Sequence, residues 1–204
     1  MYKFLGEKTL RTSGILMPIF SLSTNYVIGT LGKEAYEFVD FLKEAGQSYW
    51  QILPLSPTSF GDSPYQSFSS YAGNPYFIDL DILSEKGLLK KEIYENIDFG
   101  SNEEEVDYEK LYNNRYKVLK IAFSNFDIKN EEYLKFCSEQ NFWLLDYALF
   151  MAIKDHKNGA SWQEWDLEIK FRQKDAIENI KSLLKEEIDF YRFLQFEFFS
   201  QWYK

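Results

Sequence analysis

The sequence predicts an α/β chain that is mostly helical by content, with its only strands near the amino end. Three observations carry this. Two short apolar runs, GILMPIF at 14–20 and YWQILPL at 49–55, flank one helical stretch. From about Ser84 onward the pattern turns periodic and rich in Glu and Lys. No strand signal returns after that point.

Taken in order, residues 14–20 suit a buried strand, with Pro18 tolerated only near an edge or strand end. Residues 21–31 are polar and turn-rich. From Lys33 to Ala45 the apolar positions Ala35, Phe38, Val39, Phe41 and Leu42 recur at helical spacing, and Gly46 is a fitting stop. The second run, 49–55, then completes a strand–helix–strand unit whose strands should be parallel. Residues 84–96 predict a short helix, 108–126 a longer one, and 131–155 one or two more. HKNGAS at 156–161 is a break before a short helix near Trp162 and Trp165. Residues 173–204 predict a long helix with room for a kink.

Between the second strand and the first of these later helices lies GDSPYQSFSSYAGNPYFIDLD, residues 61–81. Its prolines, glycines and serines exclude a helix, and it is too long for an ordinary turn. Its aromatics, Tyr65, Phe68, Tyr71, Tyr76 and Phe77, argue against disorder. It follows the carboxyl end of a strand, where α/β proteins place their ligand loops. Hydroxyls beside flat rings suit a neutral, hydroxyl-rich ligand such as a sugar. A loop packed down by its own aromatics fits the composition as well.

Composition narrows the partners. The 204 residues carry a formal net charge of −9 and no Lys/Arg cluster, which disfavours nucleic acid and anionic membranes. A single cysteine, Cys137, rules out an intrachain disulfide and fits a cytoplasmic location. The amino end lacks the apolar core of a secretory signal. No run of 18 or more apolar residues is present to span a membrane. No phosphate-binding glycine loop, metal-ligand cluster or HExxH pattern occurs, so no cofactor is expected.

Aromatic side chains make up 19% of the chain and permit a sizeable core. The segment FYRFLQFEFFSQWY at 190–203 places rings on nearly every side of a helix, as befits the interior of something larger. Few elements remain to cover it, and two strands do not make a stable sheet alone. The expectation is a piece of a larger fold, or a chain that assembles with a partner, exposing this helix.

Residues 13–81, and above all GDSPYQSFSSYAGNP, resemble the amino-terminal part of the 4-α-glucanotransferases of glycoside hydrolase family 77. Weaker similarity continues through 114–123, the Trp162/Trp165 pair and FLQFEFFSQW at 193–202. The resemblance implies the first strand–helix–strand unit of a (β/α)8 TIM barrel, left incomplete. It divides the chain into 1–83, an inserted helical subdomain over 84–190, and a returning helix at 191–204. It implies retaining transfer of α-1,4-glucan segments between maltooligosaccharides by paired carboxyl groups. Those catalytic acids lie on later strands, so none is expected here, and the chain alone should be inactive. The remaining carboxyl-terminal part of the enzyme is then the expected partner. The alternative is a non-catalytic glucan-binding or helical interaction module.

For the donor-sugar site the resemblance nominates Tyr65 as the ring that stacks on the sugar and Ser63 as its neighbour. Asp62 and Gln66 belong to the motif that shapes the loop, and Phe60 sits at a secondary glucan contact. Against these stand structural readings. Asp62 before Ser-Pro suits an Asx turn, and Ser63 and Gln66 divide evenly between sugar contacts and loop bracing. Tyr71, Asn74 and Tyr76 read as loop structure; Trp162 and Trp165 could stack on sugar, with core or subdomain packing the leading reading. His156 reads as a surface residue and Cys137 as a small buried hydrophobe.

Overall fold

A computed structural model describes residues 11–100 and 105–204. The acidic stretch predicted as a loop at 101–107 thus falls largely outside the described residues. Strand β1 (Gly14–Leu16) pairs in parallel with strand β2 (Tyr49–Gln51), and helix α1 (Lys33–Glu44) connects them. The register sets Gly14 against Tyr49, Ile15 against Trp50 and Leu16 against Gln51. Gly14 has no alternative there, since a Cβ would lie 2.6 Å from the Tyr49 carbonyl oxygen. The Trp50 indole N–H donates to the Met17 carbonyl at 2.7 Å and extends the pairing past the strand end. Helix α1 stops as its sequence predicts. Gly46 adopts a φ of +69°, its N–H reaches Lys43, and the Gln47 N–H reaches Leu42, a Schellman cap.

Both strands are shorter and less buried than predicted. Each has three residues, and Ile15, Leu16 and Tyr49 are exposed. Parallel strands are normally covered on both faces, and here β1 has β2 as its sole described neighbour. The chain leaves β1 at Pro18, which has no N–H for a ladder, and turns through a single 3-10 turn at Ile19–Ser21. The predicted stripe of α1 is likewise only half covered. Ala35 and Leu42 are buried, while Val39 and Phe41 are exposed.

The helical part begins earlier than its pattern suggests. Instead of one helix over 84–96 there are two short ones, α2 (Leu80–Glu85) and α3 (Lys91–Tyr94). Asp79 starts α2 by accepting from the Ile82 N–H, and Gly87 at φ +75° ends it. Helix α4 (Tyr108–Ser124) buries Leu111, Val118, Leu119 and Ala122, while Tyr112 is exposed. Its Arg115 is fully buried, donating to the Ile78 carbonyl beside the Phe99 ring. Helices α5 (Glu131–Glu139) and α6 (Asn141–His156) divide at Gln140, whose side chain accepts from the Trp143 indole. After the predicted break, with Asn158 and Gly159 at positive φ, come α7 (Leu167–Lys170) and α8 (Lys174–Leu183). The long predicted helix at 173–204 is divided at Leu184, and α9 (Lys185–Trp202) follows.

Helix α9 overturns the expectation of an exposed aromatic segment over most of its length, with Trp202 and Tyr203 exposed at its end. It packs against α4, α5, α6 and α8, and buries Phe190, Tyr191, Phe193, Leu194 and Phe198. Phe126 meets Phe193 at 4.9 Å between centroids, and Phe123 meets Phe190 at 5.7 Å. Each such ring contributes about 2–3 kcal/mol by leaving water. The cover comes from α4, α5, α6 and α8 themselves, whose apolar faces need a central partner. The apolar core runs without interruption from Ile19 to Phe198, so the strand end and the helices share one interior. No helix among the described residues is long and apolar enough to cross a membrane.

Candidate functional site

The loop after β2 is built from short local hydrogen bonds. Thr58 and Ser67 form an antiparallel bridge, and the Ser59 N–H donates to the Gln66 carbonyl at 3.2 Å. Inside that closure, Gly61 (φ +78°) and Asp62 (φ +51°) adopt left-handed backbone in succession. A β-turn over 63–66 follows, closed by the Gln66 N–H on the Ser63 carbonyl at 3.1 Å, with Pro64 at the position that favours it. Tyr65 stands on this turn with 72% of its surface exposed. Gln66 is exposed beside it.

The Ser63 hydroxyl accepts from the Tyr65 N–H at 3.3 Å, so Ser63 braces the turn while its own O–H stays available to donate. The predicted Asx turn at Asp62 is not formed. The residue two positions on is Pro64, which has no N–H to offer, and Ser63 supplies the equivalent brace. Burial pushes the Asp62 carboxyl up from the ordinary carboxylate range, with the Thr58 hydroxyl opposing. Phe60 lies in the single turn that opens the loop, and its side chain lies outside the described residues.

The second half of the loop is anchored rather than free. Ser67 donates to the Ser69 carbonyl, and Ser69 accepts from the Tyr71 and Ala72 N–H groups at 3.1 Å. Both hydroxyls are engaged with the loop's own backbone. Tyr71 packs on Phe142 and Trp143. Asn74 is buried and caps the turn at Pro75–Phe77 by accepting from the Tyr76 N–H. Tyr76 is buried. The Asp81 carboxylate, at the end of the stretch, accepts from the Tyr26 and Tyr94 hydroxyls at 2.9 and 2.7 Å.

Sequence reasoning did not identify what holds this half of the loop. Gln195 and Gln201 of α9 reach across and bond to the backbones of Gly73 and Asp79. Their signal was present only as two polar residues six apart within an otherwise aromatic helix. Trp165 is buried against Phe150, Cys137 is buried, and His156 is exposed, as their structural readings predict.

Beside the loop lies a cleft of about 980 Å³, lined in part by the segments that follow β1 and β2 along the chain. One wall is the polar segment Ser21–Asn25, with Glu34 at the start of α1. The other combines Gly61 and Asp62 of the loop with Gly100, Glu105, Val106 and Tyr108. Of the predicted site residues whose side chains are described, Asp62 alone lines this cleft; Tyr65, Ser63 and Gln66 are not part of its lining. Burial, and then the charge of Asp62, raise the Tyr108 hydroxyl above its ordinary range. Among the described residues, the charged side chains of the lining, Glu34, Asp62 and Glu105, are all carboxylates. Such a surface repels anions and offers acceptors to a neutral polyol. Among the described residues no group of three or more His, Cys, Asp and Glu side chains could hold a metal ion.

Comparison with known proteins follows the same outline. The family model described as 4-alpha-glucanotransferase matches residues 17–204. A 4-alpha-glucanotransferase from Clostridium butyricum is 55% identical over 187 residues, covering 91% of this chain and 38% of that protein. The enzyme of the same name from Thermus thermophilus is 46% identical, over 94% of this chain and 38% of its own length. The solved amylomaltase from Streptococcus agalactiae in complex with acarbose superimposes with a TM-score of 0.90 at 46% identity. It covers 95% of this chain and 40% of that one. Amylomaltase from Corynebacterium glutamicum, 17% identical, shares the fold with a TM-score of 0.70. The chain thus spans well under half the length of the relatives it matches.

Proposed function

The chain belongs to the 4-alpha-glucanotransferase family, and from that premise we propose that it supplies the donor-sugar side of an enzyme that moves α-1,4-glucan segments between maltooligosaccharides. The observation that carries this reading is Tyr65: a large aromatic ring, 72% exposed, on a turn closed by its own hydrogen bonds. A ring left in water on a braced turn is a ready platform for the apolar face of a pyranose. Ser63 can donate to a sugar hydroxyl at its edge. Asp62 and Gln66 offer acceptor and amide groups nearby, and Phe60 opens the same loop.

In this reading transfer proceeds with retention, through a glycosyl-enzyme formed and broken by paired carboxyl groups. We assign those groups to the length that the relatives carry beyond the matched part, and expect this chain alone to be inactive. The β1–α1–β2 unit becomes the opening of a TIM barrel. Residues 84–190 become the inserted helical subdomain, and 191–204 its return. The exposed Leu16, Val39, Phe41 and Tyr49 support this, since later barrel elements would bury them. That remaining part of the enzyme is the proposed partner, and the cytoplasm the proposed location.

The test has two arms. Incubated with maltotriose, the chain should release neither glucose nor longer maltodextrins, and disproportionation would remove the claim that further strands are needed. Titrated with maltooligosaccharide, the wild-type chain should bind and Tyr65→Ala should bind at least about tenfold more weakly. Equal binding would remove Tyr65 from the site. The closed helical core also favours a second reading, a glucan-binding module without catalysis, for which binding without turnover by the complete enzyme would be the signature.

A further inference from the structure

A second cavity lies on the helical part, away from the strand ends. It measures about 260 Å³ and opens between α6 and the segment around α7. Leu149, Phe150 and Ile153 form its apolar wall. Trp162 stands at its side with 50% of its surface exposed. Asp146 and Arg172 also line it, paired at 2.7 Å with both side chains largely in solvent.

We propose that this cavity is a carbohydrate site that holds one glucosyl unit of an α-glucan against Trp162. The proposal rests on the glucan reading above and assigns that class of ligand a second place on the chain. A pyranose presents an apolar C–H face and a rim of hydroxyls. Its recognition needs a flat apolar plate with donors and acceptors at the edge. Trp162 is the plate. The Asp146 carboxylate supplies acceptors and the Arg172 guanidinium supplies planar donors. Because both are already solvated, turning them toward sugar hydroxyls exchanges one polar partner for another at small cost.

The surroundings hold the plate in place. The Lys170 ammonium lies 5.8 Å from the Trp162 ring centroid and is fixed by donating to the Gln163 carbonyl at 2.8 Å. Trp165 has a different part. It is buried, its indole N–H donates to the Ala160 carbonyl, and its ring packs on Phe150, so it is wall rather than plate.

Size and charge narrow the occupant. The cavity falls just below the roughly 300–1,000 Å³ of drug-sized pockets, which suits one sugar ring. The Asp146–Arg172 pair cancels its own charge and the remaining charged group of the lining is the Lys170 ammonium, so a cation gains nothing from the site. A purely apolar ligand would leave that polar edge unused. Phe150 also meets Phe68 of the substrate loop at 5.8 Å, so cavity and loop share a wall.

The test uses the whole chain labelled with fluorotryptophan and titrated with maltotriose under fluorine NMR, the Trp162 signal being assigned by its loss in Trp162→Phe. The Trp162 resonance should shift and saturate in the wild type and equally in Tyr65→Ala, and Asp146→Ala should weaken that shift about tenfold. A silent Trp162 signal beside intact Tyr65-dependent binding overturns this site and leaves the loop reading standing. A saturating Trp162 shift with binding indifferent to Tyr65→Ala removes the loop reading and keeps this one. Loss of both responses removes both. A Trp162 signal that answers xylene and ignores maltotriose, or that moves with chain concentration alone, overturns the proposal in favour of an apolar ligand or a self-contact.

Discussion

Gln195 meets both polar backbone groups of Gly73. Its side-chain oxygen accepts from the Gly73 N–H at 2.8 Å, and its amide nitrogen donates to the Gly73 carbonyl at 3.0 Å. Gln201, two turns on, repeats the arrangement on Asp79 at 2.7 and 3.3 Å. Both glutamines are buried. The irregular backbone of 73–79 would otherwise bury donors and acceptors with no ladder to satisfy them. Helix α9 therefore acts as the missing neighbour strand for the base of the 61–81 loop.

Removing one of these side chains should be costly. Gln195→Ala leaves a buried N–H and a buried carbonyl unpaired and opens a void, for a loss of about 2–4 kcal/mol. Urea denaturation should show a lower midpoint with the same slope. Gln195→Glu should cost at least as much as Ala, because it sets a buried carboxylate against the Gly73 carbonyl with no cation to pair it. A loss under about 0.5 kcal/mol for Ala would mean that the Gly73 backbone finds another partner.

Gly73 should tolerate no side chain. A Cβ built there would sit 2.1 Å from Cδ1 of Phe198, a buried ring that cannot swing aside. Gly73→Ala should destabilise by about 2 kcal/mol or more through overpacking. Phe198→Leu should cost stability alone yet recover part of the loss in the double variant. The favourable coupling should exceed about 0.5 kcal/mol in a double-mutant cycle. Additive losses would place the strain elsewhere than on Phe198.

Tyr65→Ala should leave folding untouched. The ring is mostly exposed, and the turn is closed by the backbone of 63–66 and the Ser63 hydroxyl, none of which the substitution removes. Thermal unfolding should give a stability within about 0.5 kcal/mol of wild type. A larger loss would show that the ring is part of the loop's packing, which is the competing account of these aromatics.

What was legible in the sequence follows the range of the physics. Local signals held: Gly46 ended α1, and 156–161 broke the helices. Signals that need a partner did not. The all-round apolar helix at 190–203 read as uncovered because most of its cover comes from α4, α5 and α6, which lie far away in sequence. The Asx reading of Asp62 failed on a detail visible in the sequence, the missing N–H of Pro64. Gln195 and Gln201 were invisible because their partners are backbone groups 122 residues away.

The buried phenols set an alkaline limit on the fold. Burial, first of all causes, raises Tyr116 and Tyr191 well above the ordinary tyrosine range. Burial, and then hydrogen bonding to Asp81, raises Tyr94 to about 12. In each case the folded chain favours the neutral phenol more than the unfolded chain does. The resulting stability is therefore fully present below the unfolded value of about 10, and is lost as pH rises through the folded value. The stability should stay level with respect to these groups through about pH 9. It should then fall by up to about 1.4 kcal/mol per pH unit for each such tyrosine. Urea midpoints taken at steps above that point should decline together with the appearance of phenolate absorbance, both as one cooperative transition. Phenolate appearing near pH 10 for every tyrosine, with the helical circular dichroism unchanged, would show that the hydroxyls reach water in the folded chain.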